Sequence, residues 1–294
     1  MGSISSLFGY VLNFIYEIVN NYGVAIILLS LLLKIILLPL SIKQQKTMKK
    51  TAKVQQKVKE IQEKYKNDQM KMNQEMMDLY KRENISPFSG CLSAILQIVL
   101  LFAMFYLVRS PLTYMKKIDT TTIENYKTEI KQELGENNIS VNYPEISILK
   151  YVNNHKSHED PLYINTNFLG LDLSNIPQEN YQDPTVYIIP GLYVITSIIS
   201  MRITTSMTKR KNDKKEIIEI NKDKKNKDKE PDPEEMAVQM NKSMSWFMPI
   251  MSLSVSIIAP LGLALYWLVN NILMILERII VNKFIKTEEG EQNG

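Results

Sequence analysis

Apolar and charged residues are segregated into long blocks along this chain. From Val24 to Ile42 every side chain is uncharged except Lys34. Comparable runs follow: SGCLSAILQIVLLFAMFYLV from Ser89, TVYIIPGLYVITSIISMRIT from Thr185, MSWFMPIMSLSVSIIA from Met244 and GLALYWLVNNILMILERIIV from Gly262. At about 1.5 Å per residue, roughly 20 apolar residues cross a hydrocarbon core of about 30 Å. Pro260 and Gly262 mark a tight turn that makes the last two runs a hairpin. The pattern predicts an all-α polytopic membrane protein with five transmembrane helices.

Two stretches are patterned at the helical period without being long spans. In residues 1–22, Phe8, Val11, Leu12, Ile15, Ile18 and Val19 follow helical spacing, with Asn13, Glu17 and Asn20 opposite. An amphipathic helix lying in the membrane interface is expected there, because the stretch lacks a positive leader and a small-residue cleavage site. Beyond the first span, Val54, Val58, Ile61 and Tyr65 form one stripe, and Met72, Met76 and Leu79 form a facing one. A turn at Lys66-Asn67-Asp68 completes an antiparallel helical hairpin.

The organisation expected is an interfacial helix over 1–22, a first span over 23–42, the hairpin over 43–84 and a second span over 85–109. An insert over 110–184, a third span over 185–206 and a charged linker over 207–243 come next. The fourth and fifth spans, 244–259 and 262–282, precede a tail over 283–294.

Charge then orients the chain. Lys and Arg number 12 in residues 43–83, 6 in 110–184 and 11 in 207–243. Cytoplasmic loops carry the excess of cations, so 43–83 and 207–243 are placed inside and 110–184 outside, giving an N-out, C-in topology. The net charge of +4 is thereby explained by topology. The short acidic tail KTEEGEQNG offers nothing to nucleic acid. Cys91 is the single cysteine, so no internal disulfide is possible. Residues 207–243 have the composition of a mobile linker. Within 110–184, a helix is expected over Ile123–Leu134 and another short element over Ile146–Val152. His155 and His158, beside Glu159 and Asp160, have some of the chemistry of a metal site. They lack a rigid frame and a separate third ligand, so a solvated loop is the reading and no metal or cofactor is expected. No phosphate loop, nucleophile elbow or carboxylate pair marks an enzyme.

The chemistry lies in the apolar runs. A central lysine costs about 2.5–3.5 kcal/mol on insertion scales. Lys34 sits nine residues before Lys43, roughly 13 Å from that aqueous end, too far for its stem to snorkel. A salt bridge, a lowered pKa or a wet cavity each resolve the problem. With no Asp or Glu expected deep enough in another run, the cavity is favoured. Polar residues recur at helical spacing in the other spans: Ser93 and Gln97 in the second; Thr196, Ser197, Ser200 and Thr204 in the third; Trp267, Asn270 and Asn271, with Met274, in the fifth. Taken singly, such residues serve most often as packing and hydrogen-bonding glue. Lys34, Gln97, Ser200, Trp267 and Asn270 are the principal candidates for a hydrophilic groove. Ser93, Thr196, Ser197, Thr204 and Asn271 are weaker ones.

GVAIILLSLLLKIILLPLSIKQ, ISPFSGCLSAILQ, NFLGLDLSN, MPIM and PLGLALYWLVNN, in that order, resemble the YidC/Oxa/Alb membrane protein insertases over roughly 10–110 and 165–285. The last element is the most specific. The resemblance implies an insertase with a positively charged groove open to the cytoplasm, whose first-span cation, usually arginine, falls on Lys34. Lysine keeps the charge, loses the planar fork and allows deprotonation. The family's third-span glutamine falls on Ser200, and Ser93 and Val99 stand where related sequences have prolines. The insert 110–184 is longer than the family's usual link. Implied partners are nascent membrane proteins and the bilayer, with the Sec translocon and the ribosome as further candidates, in the plasma membrane of a prokaryote. A small-molecule or ion transporter and a membrane scaffold are the rival readings. The first lacks a visible internal repeat. The second leaves Lys34 without a role.

Overall fold

The computed structural model of the protein describes residues 2–66, 68–83, 89–135, 138–208 and 254–291. Its helices are α1 Gly2–Val19, α2 Tyr22–Lys64, α3 Gln69–Arg82, α4 Ser89–Arg109, α5 Pro111–Tyr114, α6 Thr120–Leu134, α7 Pro144–His155, α8 Ile188–Thr208 and α9 Leu261–Glu291. A two-stranded antiparallel ribbon pairs β1 (Asn167–Phe168) with β2 (Leu171–Asp172). All but the first two residues of the linker 207–243 and most of the fourth expected span fall outside the described residues; 254–258 is helical.

Among the described residues four helical stretches are long and apolar enough to cross a membrane: Gly2–Val19, Tyr22–Thr47, Pro184–Ile203 and Leu261–Val281. Ile98–Arg109 is a shorter apolar helix. These helices carry large aliphatic side chains on faces that none of the described residues covers, among them Ile35, Ile36, Ile98, Ile195 and Ile279, each more than half exposed. Water would not tolerate so much uncovered aliphatic surface, whereas lipid is its natural solvent.

The chain divides into two compact units. One comprises Met1–Leu31 and Ala103–Ile275, the other Leu32–Phe102 and Leu276–Gly294.

In the first unit the core is built from Leu12, Ile26, Leu29, Met104, Leu107, Leu112, Ile148, Leu149 and Ile164, all fully buried. Helix α1 turns Ser5, Gly9, Leu12 and Tyr16 inward. Gly9 permits this approach, since a Cβ there would lie 1.8 Å from the Tyr114 carbonyl oxygen of α5. Leu7, Tyr10, Phe14 and Ile18 are left exposed. The stripe read for residues 1–22 divides in the structure. The helix is apolar on two sides, because Leu12 packs on protein while Ile18, assigned to the same stripe, faces out.

Residues 165–178 join the starts of two long helices. Tyr22 N–H donates to the Asn165 carbonyl at 2.9 Å, Leu261 N–H to Asn175 at 2.8 Å and Gly262 N–H to Leu173 at 2.9 Å. The ribbon between them turns at Leu169 and Gly170, both with positive φ (53° and 82°), as a tight two-residue hairpin turn requires. Its Phe168 ring lies against Gly23, where a Cβ would come within 2.5 Å.

Helices α6 and α7 fall on the two stretches expected within 110–184, α6 starting three residues earlier and α7 starting two residues earlier and ending three later. Asp119 caps α6 by accepting from Thr122 N–H at 2.9 Å, and Pro144 opens α7 where its missing N–H costs nothing. The two histidines pack separately: His155 stacks on Tyr151, and His158 meets Tyr163 edge-on.

In the second unit α2 continues without a break past the expected span end at Ile42, through Pro39, and packs on α3. Val54, Val58 and Leu79 form the buried contact, flanked by Ile61, Met76 and Tyr80. Asp68 caps α3 by accepting from Lys71 N–H at 3.0 Å.

One carboxylate of the first unit sets a pH dependence. Glu145, in the first turn of α7 and only 6% exposed, accepts from Thr113 N–H at 3.0 Å and Thr113 Oγ1 at 2.7 Å. Burial still pushes its carboxyl above the ordinary value of 4.5, against those hydrogen bonds. The folded state thus holds this proton more tightly than the unfolded chain. The stabilisation it gives is full below the ordinary value and is lost as pH rises through the raised one. Glu145→Gln is expected to remove that acid-side gain, flattening the dependence of melting temperature on pH in detergent above about pH 4.5.

Candidate functional site

Helical spacing places Lys34, Ser41 and Gln45 on one face of α2, seven and four residues apart. A single carboxylate from α9 meets that face. Glu277 Oε2 lies 2.5 Å from Lys34 Nζ. Its Oε1 accepts from Ser41 Oγ and, at 3.3 Å, from Gln45 Nε2. All four residues belong to the second unit. The Glu277 side chain is 5% exposed and that of Lys34 24%, so the acid is the more enclosed of the two.

The expectation that no acid lies deep enough to pair with Lys34 is therefore wrong. Glu277 sits inside the fifth apolar run itself. Extending the polar stripe of that helix by one turn, from Trp267, Asn270 and Met274, lands on it, and this was the signal available. A paired charge meets the insertion cost by mutual neutralisation and by hydrogen bonds to the remaining lone pairs.

In the first unit α8 and α9 meet through polar and aromatic groups. Asn271 Nδ2 donates to Thr196 Oγ1 at 3.3 Å, and Thr196 Oγ1 donates to the Tyr193 carbonyl at 2.9 Å. The Tyr193 and Trp267 rings lie 6.0 Å apart. Trp267 Nε1 is buried and has no hydrogen-bond partner among the described residues. Ser200 and Asn271 are buried; Ser197 and Asn270 are half-buried. The structure thus joins Thr196 to Asn271 and Tyr193 to Trp267. Gln97, Ser93 and Cys91 lie on α4 and Thr204 on α8, with side chains outside the described set. Among the described residues no group of three His, Cys, Asp or Glu side chains is placed to hold a metal.

Comparison with known proteins gives two results. A family described as "60Kd inner membrane protein" matches residues 14–289. The curated relatives include proteins named "Membrane protein insertase YidC". One, from Caldanaerobacter subterraneus subsp. tengcongensis, is 27% identical over 291 residues, which is 99% of this chain and 100% of the relative. Another, from Rickettsia massiliae, is 28% identical over 275 residues, covering 94% of this chain and 38% of the relative. A third, from Treponema denticola, is 28% identical over 277 residues, covering 94% and 37%. The chain thus spans the whole of the first relative and well under half of the other two.

The α8–α9 contact is a test of intramembrane hydrogen bonding. Thr196→Val and Asn271→Leu are each expected to lower stability modestly. A double-mutant cycle in mixed micelles should return a coupling of about 0.6 kcal/mol, the usual size for such a bond.

Proposed function

We propose, from the premise that this chain belongs to the 60Kd inner membrane protein family, the YidC/Oxa/Alb group, that it inserts newly made membrane proteins by receiving their hydrophilic tails at Lys34. It is a multi-pass protein of the cell membrane. In this reading the topology is N-out and C-in, with the α2–α3 hairpin in the cytoplasm.

The observation that carries the proposal is the Lys34–Glu277 contact. It supports the view that a carboxylate is stable at this depth when it meets this ammonium. An acidic residue in the tail of a nascent chain presents the same group. At an effective dielectric near 20, two unit charges about 4 Å apart gain about 4 kcal/mol, enough to draw a tail in and weak enough to let it go. No nucleotide and no bond-making step is needed, so the role is not enzymatic. Gln97 adds a neutral polar group on α4. In the first unit, Trp267, Asn270 and Ser200 supply polar groups to the passing segment, and the Trp267 N–H, without a partner among the described residues, is a donor for a substrate carbonyl. Ser93, Thr196, Ser197, Thr204 and Asn271 serve that path more weakly. The apolar part of the substrate then leaves into lipid beside α8 and α9. Nascent membrane proteins and lipid are the partners required; contact with the Sec translocon or a ribosome is compatible with the charged hairpin.

The test is insertion of a single-span substrate with an acidic N-terminal tail into liposomes containing the purified protein. Lys34→Arg should retain activity. Lys34→Ala should lose about tenfold, equivalent to about 1.4 kcal/mol, and Lys34→Glu should abolish insertion. Equal activity in all four proteins would remove Lys34 from the mechanism.

A further inference from the structure

Lys34 is not an empty cation waiting for an anion. The carboxylate of Glu277 already occupies it, and the way it does so is asymmetric. Lys34 takes Oε2, while Ser41 and Gln45 donate to Oε1. If the ammonium leaves, Glu277 keeps two hydrogen-bond donors and is not stranded as a bare buried charge. The lysine has the mobility to leave: its stem has four rotatable carbons, and its side chain is five times as exposed as that of Glu277 (24% against 5%). The lysine is thus the more accessible of the two partners to an approaching anion.

We propose that Glu277 is an internal competitor for Lys34 that sets how acidic a substrate tail must be before it is accepted, with Ser41 and Gln45 holding Glu277 when the lysine transfers. This deepens the insertase reading above and rests on it. The substrate class it selects is a tail with one or more carboxylates. A tail of neutral polar residues cannot displace Glu277, because it brings no charge to exchange for the one given up. Ser41 and Gln45 make the exchange reversible, since they lower the cost of the separated state without contacting the tail.

The predicted roles have opposite signs, which separates competition from simple support. Insertion into liposomes is measured for one substrate whose tail carries zero, one, two or three acidic residues. The wild type is compared with Glu277→Gln, with Ser41→Ala/Gln45→Ala and with Lys34→Ala. Removing the competitor with Glu277→Gln is expected to speed insertion of the neutral and singly acidic tails by about tenfold and to leave the triply acidic tail little changed. Removing its support with Ser41→Ala/Gln45→Ala is expected to slow the singly acidic tail while the triply acidic tail still inserts. An unchanged dependence on tail charge in Glu277→Gln, or uniform loss across all tails with the protein intact in the membrane, overturns the competitor role. Should Glu277→Gln not accumulate, the Ser41/Gln45 variant decides alone: an unshifted charge dependence there overturns the proposal. Lys34→Ala keeps the two readings apart. If it inserts every tail as well as wild type, the tail-receiving reading itself fails; if it loses insertion while Glu277→Gln matches wild type, only the competitor fails.

Discussion

A charge in an apolar span has to be compensated where it lies, and this constraint organises the second unit. Taking an ammonium or a carboxylate out of water costs several kcal/mol each even after relaxation. Lys34 and Glu277 each lower the other's penalty, and Ser41 and Gln45 lower that of Glu277 further. The helices that deliver them therefore carry polar residues in register. Ser41 and Gln45 stand on the Lys34 face of α2, because the second oxygen of Glu277 also needs donors. A buried ion pair of this kind adds little net stability over a well-packed apolar pair. On the exchange proposed above, the pair serves the receipt of a substrate tail rather than folding.

The first unit answers a different demand. Its long helices face lipid with aliphatic side chains, so their order comes from the segment between α4 and α8 and from α1. Main-chain hydrogen bonds from Tyr22, Leu261 and Gly262 to residues 165, 175 and 173 fix where α2 and α9 begin. Such bonds are insensitive to side-chain identity at the donor. The constraint instead shows in small residues: Gly9 and Gly23 are glycines because a backbone or a ring occupies the space of their Cβ atoms.

What could be read in the sequence follows the range of the interaction. The α2–α3 hairpin has a local cause, apolar residues three or four apart on each arm, and the structure buries Val54, Val58 and Leu79 from those two stripes. The helix expected over Ile123–Leu134 and the short element over Ile146–Val152 coincide with α6 and α7. The β1–β2 ribbon was not, since it depends on Leu169 accepting a positive φ and on hydrogen bonds spanning more than a hundred residues. For α1 the period was visible and the environment was not: a helix apolar on two faces looks like one with a broad apolar face until a partner such as Tyr114 is in place. Glu277 was missed for a third reason. Scanning for acids run by run treats a residue near the end of a span as its flank. Following the stripe of α9 through Trp267, Asn270 and Met274 places the same residue on the face of the helix already marked as polar.

The choice of lysine at position 34 and of glutamate at position 277 makes sense as one solution. The resembling family usually has arginine at the first of these positions, and a guanidinium engages both oxygens of a carboxylate in a planar fork. Opposite Glu277 such a fork would compete with Ser41 and Gln45 for Oε1 and would tie the two helices more rigidly. An ammonium takes one oxygen as a point charge and leaves the other to neutral donors. The carboxylate then keeps two protein donors in both states, with the lysine present and with the lysine away, which lowers the cost of separating the pair. A fixed internal acid is compatible with a cation that must be given up repeatedly only when the two are separable. The single-point contact of lysine, together with two donors on the other oxygen, supplies that separability.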